Sequence, residues 1–183
     1  LVPWPRWLRC TGCGRLATLD SGLFELEANE WSPERTCIVH KNCSKPRYKN
    51  KKTSPALAAR FVVACPMGHL ADFPWVEFVH KGEVCDSPSL VLRDYDVTGA
   101  AAEVQVVCEA CEAERRLVDA FGEKGSENLG SCPGTHPHLA DGGTQPCGSS
   151  LSALALGASN LWLSDTTSVI SLPEQIDEVD EAL

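Results

Sequence analysis

The hydrophobic pattern of this chain changes character near residue 60. Beyond it come short, β-branched apolar runs: Arg60–Cys65 (RFVVAC), 90–97 (LVLRDYDV) and 102–108 (AEVQVVC). Runs of this length and composition predict strands. The last two are separated by Thr98-Gly99-Ala100-Ala101, and two further strand candidates follow at 151–163 (LSALALGASNLWL) and 167–173 (TSVISLP). Residues 114–121 (ERRLVDAF) read differently: Leu117 and Val118 with Phe121 have helical spacing, and Gly122 follows as a stop. The pattern predicts an α+β fold of mostly antiparallel strands with short helices and zinc-ribbon-like knuckles.

Residues 1–60 read as a separate zinc-ribbon-like unit. Trp4, Trp7 and Leu8 supply apolar anchors before a first cysteine pair, and the stretch KPRYKNKKTSP (45–55) is too polar and proline-bounded for a regular element. Residues 61–173 form the predicted α+β core, with a Gly-, Ser- and Pro-rich loop over 122–150. Residues 174–183 (EQIDEVDEAL) are an acidic tail with helical character. The chain opens at Leu1 without a methionine, as expected of a piece of a longer protein.

Composition narrows the class. With 43% apolar and 22% charged residues in 183, the chain is an ordinary soluble one. No apolar run approaches the ~20 residues that span a bilayer, and no signal segment opens it, so a cytoplasmic protein without membrane contact is expected. The net charge of −9 is unevenly spread. From Arg35 to Ala71 there is no acid, but there are Arg35, Lys41, Lys45, Arg47, Lys49, Lys51, Lys52 and Arg60. A basic lobe on an acidic body can touch a few phosphates without coating DNA, which makes Lys41, Lys45, Arg47, Lys49, Lys51 and Lys52 candidate nucleic-acid contacts. A solvated loop explains the same residues equally well.

Ten cysteines are many for this length. Thiolates on metal are the expected use, because two pairs have the two-residue gap of a zinc knuckle: Cys10-x2-Cys13 and Cys108-x2-Cys111. The first predicted site is Cys10, Cys13, Cys37 and Cys43, with His40 the rival of Cys43. Gly14 after Cys13 suits a tight turn that aims amides at the thiolates. The second predicted site is Cys108, Cys111, Cys132 and Cys147, with His136 and His138 as rivals. Two structural zinc ions would then hold chain that has little core of its own. Four thiolates leave no open coordination position, so no catalytic residue is assigned.

The segment Phe61–His80 (FVVACPMGHLADFPWVEFVH) has its own chemistry. Cys65, His69 and Asp72 lie too close in sequence, with Pro66 and Gly68 between them, to read readily as a hydrolase's nucleophile and base. Cys65-x3-His69-x10-His80-x4-Cys85 could make a third metal site. The simpler reading is a packed corner in which His69 and Asp72 bond to backbone while Phe73, Trp75 and Phe78 enter the core.

This segment also carries a family resemblance. CPMGHLADFPWVEFVH resembles the Cys-x-x-Gly-His-x-x-Asp-Phe-x-Trp element of the DrmB family of the DISARM anti-phage defence system, a helicase-associated family of poorly assigned function. WPRWLRCTGCGRL is similar to that family's opening, VVCEACEAERRLVDAF to its central knuckle, and GASNLWLSDTTSVISLP to its Arg-Gly-Ala-Ser-Asn strand pair. The resemblance covers nearly all of the chain except the basic loop and the acidic tail, and would make it an internal zinc-bearing portion. Leu156 departs from the family's arginine, and His138 from its tryptophan. The resemblance implies a noncatalytic subunit or domain that binds a DISARM helicase and acts on phage DNA in the bacterial cytoplasm. A hydrolase using Cys65/His69 or an open zinc, and a stand-alone zinc-ribbon DNA-binding protein, are the alternatives. No phosphate-binding Gly-x4-Gly-Lys-Ser/Thr loop is present, so an ATPase must lie elsewhere.

Overall fold

Two antiparallel sheets make up the fold in the computed structural model, which describes residues 4–48, 51–94, 104–137 and 143–157. The first ten strands are β1 (Trp7–Cys10), β2 (Arg15–Thr18), β3 (Phe24–Glu27), β4 (Cys37–His40), β5 (Ser54–Ala58), β6 (Phe61–Ala64), β7 (Leu70–Asp72), β8 (Leu90–Asp94), β9 (Val104–Cys108) and β10 (Glu114–Arg116). The last strand is β11 (Ser152–Ala155), and the one α-helix among the described residues is α1 (Trp75–His80). Eight strands pair in the order β10-β9-β8-β2-β1-β5-β4-β3; the smaller sheet has the order β11-β6-β7. Strands from both sides of residue 60 therefore share the larger sheet, through β2 against β8.

The expected α+β class is corrected to a mostly β fold. The apolar spacing over 114–121 does not make a helix. Glu114–Arg116 forms β10 and pairs with β9, with Arg115 opposite Val106. Residues Leu117–Ala120 make one 3-10 turn whose Leu117 is fully buried. The reason lies just upstream: residues 109–113 reverse the chain, so the next residues are presented to the edge of β9 and complete a hairpin there. Three-residue apolar spacing fits a buried 3-10 turn as well as a helix. The strand predictions overlap observed strands at 61–64, 90–94, 104–108 and 152–155. The candidate strand over 167–173 and the acidic tail lie outside the described residues.

The main core joins β6, β8, β9 and α1. Phe73, Trp75 and Phe78 are buried and meet ring to ring, with Phe73 centred 4.4 Å from Trp75 and 5.1 Å from Phe78. Arg115 lies over the Phe78 ring at 4.6 Å and donates from Nη1 to the Phe78 carbonyl, which ties β10 to α1. A smaller core of Leu8, Cys10, Phe24, Cys43 and Ala56 lies under the first cysteine pair.

Candidate metal centres

Three hairpin turns in this fold are built alike, and each presents two ligands. In the first, β1 and β2 flank Cys10-Thr11-Gly12-Cys13; the Gly14 amide donates to the Cys10 carbonyl at 3.1 Å with Gly14 at φ +74°. In the second, β9 and β10 flank Cys108–Cys111; the Glu112 amide donates to the Cys108 carbonyl at 2.9 Å with Glu112 at φ +61°. In the third, β6 and β7 flank Cys65–His69; Gly68, at φ +83°, donates to the Cys65 carbonyl at 3.0 Å. A left-handed residue at the end of each turn lets the chain reverse within a few residues.

Each hairpin meets a second ligand pair from elsewhere. Cys10 and Cys13 are joined by His40 and Cys43, Cys65 and His69 by Cys132 and Cys147, and Cys108 and Cys111 by His80 and Cys85. Within each set the four ligand atoms lie within 4.8 Å of one another, and these sets could hold metal ions. Metal–sulfur bonds of about 2.3 Å at tetrahedral angles place sulfurs roughly 3.8 Å apart. The Sγ atoms of Cys10 and Cys43 are 3.6 Å apart, and those of Cys85 and Cys108 3.8 Å. A disulfide needs about 2.05 Å, and all ten cysteines are free thiols. The histidines sit equally close: His40 Nδ1 is 3.3 Å from Cys13 Sγ, His69 Nδ1 3.3 Å from Cys65 Sγ, and His80 Nε2 3.3 Å from Cys111 Sγ. His80 Nδ1–H donates to the Val76 carbonyl at 2.7 Å, which fixes the tautomer and leaves Nε2 free for a metal.

Without a cation the thiols of one set conflict. Cys13 is pushed up to about 12, first by burial and then by the thiols of Cys10 and Cys43. Burial and the neighbouring Cys65 and Cys147 push Cys132 up to about 11. Its neighbour Cys147 is brought down to about 6 by the hydroxyl and amide of Ser149. Burial also pushes Cys85 up to about 11, with Cys111 and Cys108 adding to it. Burial opposes ionisation of Cys108, but the amides of Ser89, Ala110 and Cys111 outweigh it and hold Cys108 at about 6. One thiolate in a set is thus easy to form and the next is hard; a divalent ion at the centre removes that conflict.

The family described as a domain of unknown function, DUF8724, matches residues 1–163, a stretch that includes all three centres. The chain belongs to this family. It is also 29% identical over 180 residues to a protein of Bacillus paralicheniformis (strain ATCC 9945a / NCIMB 11709 / CD-2) named DISARM protein DrmB, covering 97% of this chain. The chain spans only 29% of that relative's length.

Several ligands of this DUF8724 chain are grouped differently from the sequence expectation. Cys37 stands outside the first centre, exposed on β4 opposite Glu27. Side chains alternate along a strand. Ile38 packs toward Cys10 and Cys43, and His40 lies on that same face, while Cys37 and Val39 face a cleft with Arg35 and Tyr48. His40 and Cys43 therefore both belong to the centre, rather than one replacing the other. The expected set Cys108, Cys111, Cys132 and Cys147 is divided between two centres. Helix α1 brings His80 to the β9–β10 hairpin. The Thr135 hydroxyl and carbonyl bond to Leu70 at 2.6 and 3.2 Å, carrying Cys132 and Cys147 to the β6–β7 hairpin instead. Cys65, His69, His80 and Cys85 do not meet in one site; each pair completes one of these two centres. His136 meets His69 at a tilt, with ring centres 4.6 Å apart, and is not among the clustered ligands, while His138 lies outside the described residues. The usable signal for the missed grouping was Cys65-Pro-Met-Gly-His69 between two strands, a knuckle with histidine as its second ligand.

The basic loop rests on the first centre. The Cys43 amide donates to the Lys52 carbonyl at 2.8 Å, and the Arg47 amide to Ser54 Oγ at 2.9 Å. A Cβ on Gly12 would come within 2.3 Å of the Lys45 carbonyl oxygen, so this approach requires glycine. Lys41 pairs with Glu25 of β3, so the lobe is less basic in space than in sequence. Lys49 lies outside the described residues. No helix among the described residues is long and apolar enough to cross a membrane.

Proposed function

We propose that the chain is a noncatalytic, zinc-binding portion of a bacterial anti-phage defence protein, and that it docks a helicase partner in the cytoplasm. The observation that carries this reading is the similarity to DISARM protein DrmB along 97% of the chain. Zinc suits the three centres because each offers three thiols and one imidazole, a donor set typical of closed structural zinc sites. Four protein ligands per centre leave no position for a substrate or a reactive water, which supports a scaffold over a metallohydrolase. Clustered thiols of this kind persist reduced where disulfides are not favoured.

A finer part of the proposal is auxiliary DNA contact through Lys45, Arg47, Lys51 and Lys52, on the loop that the first centre holds in shape. Co-expression of the full-length protein with the helicase of its own defence system tests the partner. The expected result is a complex that co-purifies and is lost on chelation. Two free components at micromolar concentration would overturn it. Replacing the four basic residues by alanine should weaken DNA binding and reduce the slope of log K against log salt by about 0.7–0.9 per lost phosphate contact.

A further inference from the structure

The loop over residues 28–36, which joins β3 to β4, carries Trp31 at 94% exposure, the most exposed large apolar side chain among the described residues. The loop is bonded within itself. Asn29 Oδ1 accepts the amides of Trp31 at 3.1 Å and Ser32 at 2.9 Å, and the Asn29 amide donates to Thr36 Oγ1 at 3.1 Å. Pro33–Arg35 closes it with one 3-10 turn. These bonds hold the indole outward, where it forfeits the burial that makes tryptophan a frequent interface anchor. Its loop neighbours Glu30 and Glu34 are exposed acids with no ion pair among the described residues.

A cleft of about 240 Å³ lies beside this knob, and Ala28, Asn29 and Arg35 of the loop form part of its lining. Tyr48, Val39 and Pro55 give it apolar wall. Its cations, Arg35 and Lys51, make no ion pair among the described residues, and Glu27 is its one acid. Two cations against one acid leave the cleft positive, opposite in sign to the knob. Thr53 and Cys37 complete the polar lining. The cleft therefore offers an indole apolar and cationic faces, with a carboxylate and a hydroxyl as acceptors for its N–H.

We propose that this face docks a second copy of the chain, each Trp31 entering the partner's cleft about a twofold axis. The indole lies against the partner's Tyr48 and its rim cations, while Glu30 and Glu34 meet the positive rim. Knob and cleft on one surface make the contact self-complementary, so it closes at a dimer instead of growing into a filament. A nucleic acid in this place would meet Glu27, Glu30 and Glu34, which repel its phosphates. Burying one tryptophan removes roughly 150–250 Å² from water. Two knobs and the walls they cover come to roughly 600–1,000 Å², at the low end for a specific complex. The dimer is accordingly weak, with a Kd on the order of 10–100 µM. The inference rests on neither helicase docking nor DNA contact, and of the proposed DNA-contact residues it uses Lys51 alone.

The test is sedimentation of the metal-loaded full-length protein from about 1 µM to about 300 µM, a range that brackets this Kd. The expected result is a mass that rises toward twice that of one chain. Trp31→Ala should raise Kd at least tenfold, and Glu30→Lys combined with Glu34→Lys should weaken the dimer in the same direction. Trp31 makes no buried contact, so Trp31→Ala should keep its full metal content. Alkylation of Cys37, read by mass spectrometry of its peptide, should be fast at low concentration and slow as the protein is concentrated. In Trp31→Ala it should stay fast throughout. A monomer at every concentration would overturn the proposal, as would a dimer unchanged in Trp31→Ala. Protection of Cys37 by a single-stranded oligonucleotide, in place of protection by concentration, would give the cleft to nucleic acid and overturn it too.

Discussion

The alternation of one strand decides which residues could hold a metal at the first centre. Cys37 and His40 are three positions apart in β4 and so face opposite ways, and only His40 reaches Cys13. The expected consequence is sharp: Cys37→Ser leaves the metal content unchanged, whereas His40→Ala lowers it by one ion per chain, as elemental analysis would read directly. Asp72 shows a second effect of placement. Burial raises its carboxyl above the ordinary range, while the Arg6 amide, donating to Oδ1 at 2.9 Å, pulls the other way without fully offsetting it. A raised carboxyl favours the fold in its protonated form. Its contribution is complete below the unfolded value, about 4, and is lost as pH rises through the folded value. At neutral pH Asp72 therefore costs stability. Asp72→Asn keeps the oxygen acceptor and removes the charge, and should raise Tm by at most about 2 °C, because the group is partly exposed and screened. A lower Tm at pH 7 would count against the account.

Hairpins supply half of every centre, and their turns carry the testable constraints. Glu112 holds the left-handed conformation that glycines hold at Gly14 and Gly68. Glu112→Gly should therefore stabilise the β9–β10 hairpin, by about 0.5 kcal/mol in a denaturant melt. Gly134 is the opposite case. It sits at φ +69°, and a Cβ there would come within 1.6 Å of the Gln145 carbonyl oxygen. Gly134→Ala should cost about 3 kcal/mol or more and release the ion held by Cys132 and Cys147. At this scale the sequence was legible where local chemistry decided the outcome. Knuckle spacing at Cys10–Cys13 and Cys108–Cys111 and the β-branched runs at β6, β8 and β9 marked their elements directly. It was not legible over 114–121, where the edge of β9 captured residues whose spacing also suits a helix. Nor could spacing assign the second ligand pairs. His80 meets Cys111, 31 residues on, through the packing of α1, and Cys132 meets Cys65 through the bonds of the Thr135 hydroxyl and carbonyl to Leu70. Such contacts belong to the tertiary fold.

Among the described residues the molecule is a β scaffold with three cysteine–histidine clusters, each joining a hairpin to a segment distant in the chain. Zinc in such sites contributes ~10–16 kcal/mol in zinc-finger peptides, as much as the net stability of an ordinary domain. Chelation should therefore abolish cooperative unfolding of this chain, as seen by the loss of near-ultraviolet dichroism from the buried Phe73, Trp75 and Phe78 cluster. Acid should do the same once the thiolates and imidazoles are protonated. The most direct test of the three-centre account is the metal content of protein purified without added metal, read together with its native thiol count. Nine of the ten cysteines belong to the centres, three in each, which leaves Cys37. The account predicts three zinc ions per chain and one thiol that reacts in the native state, and that thiol should disappear in Cys37→Ser. Two ions with further reactive thiols, or no metal and cysteines joined as disulfides, would contradict it.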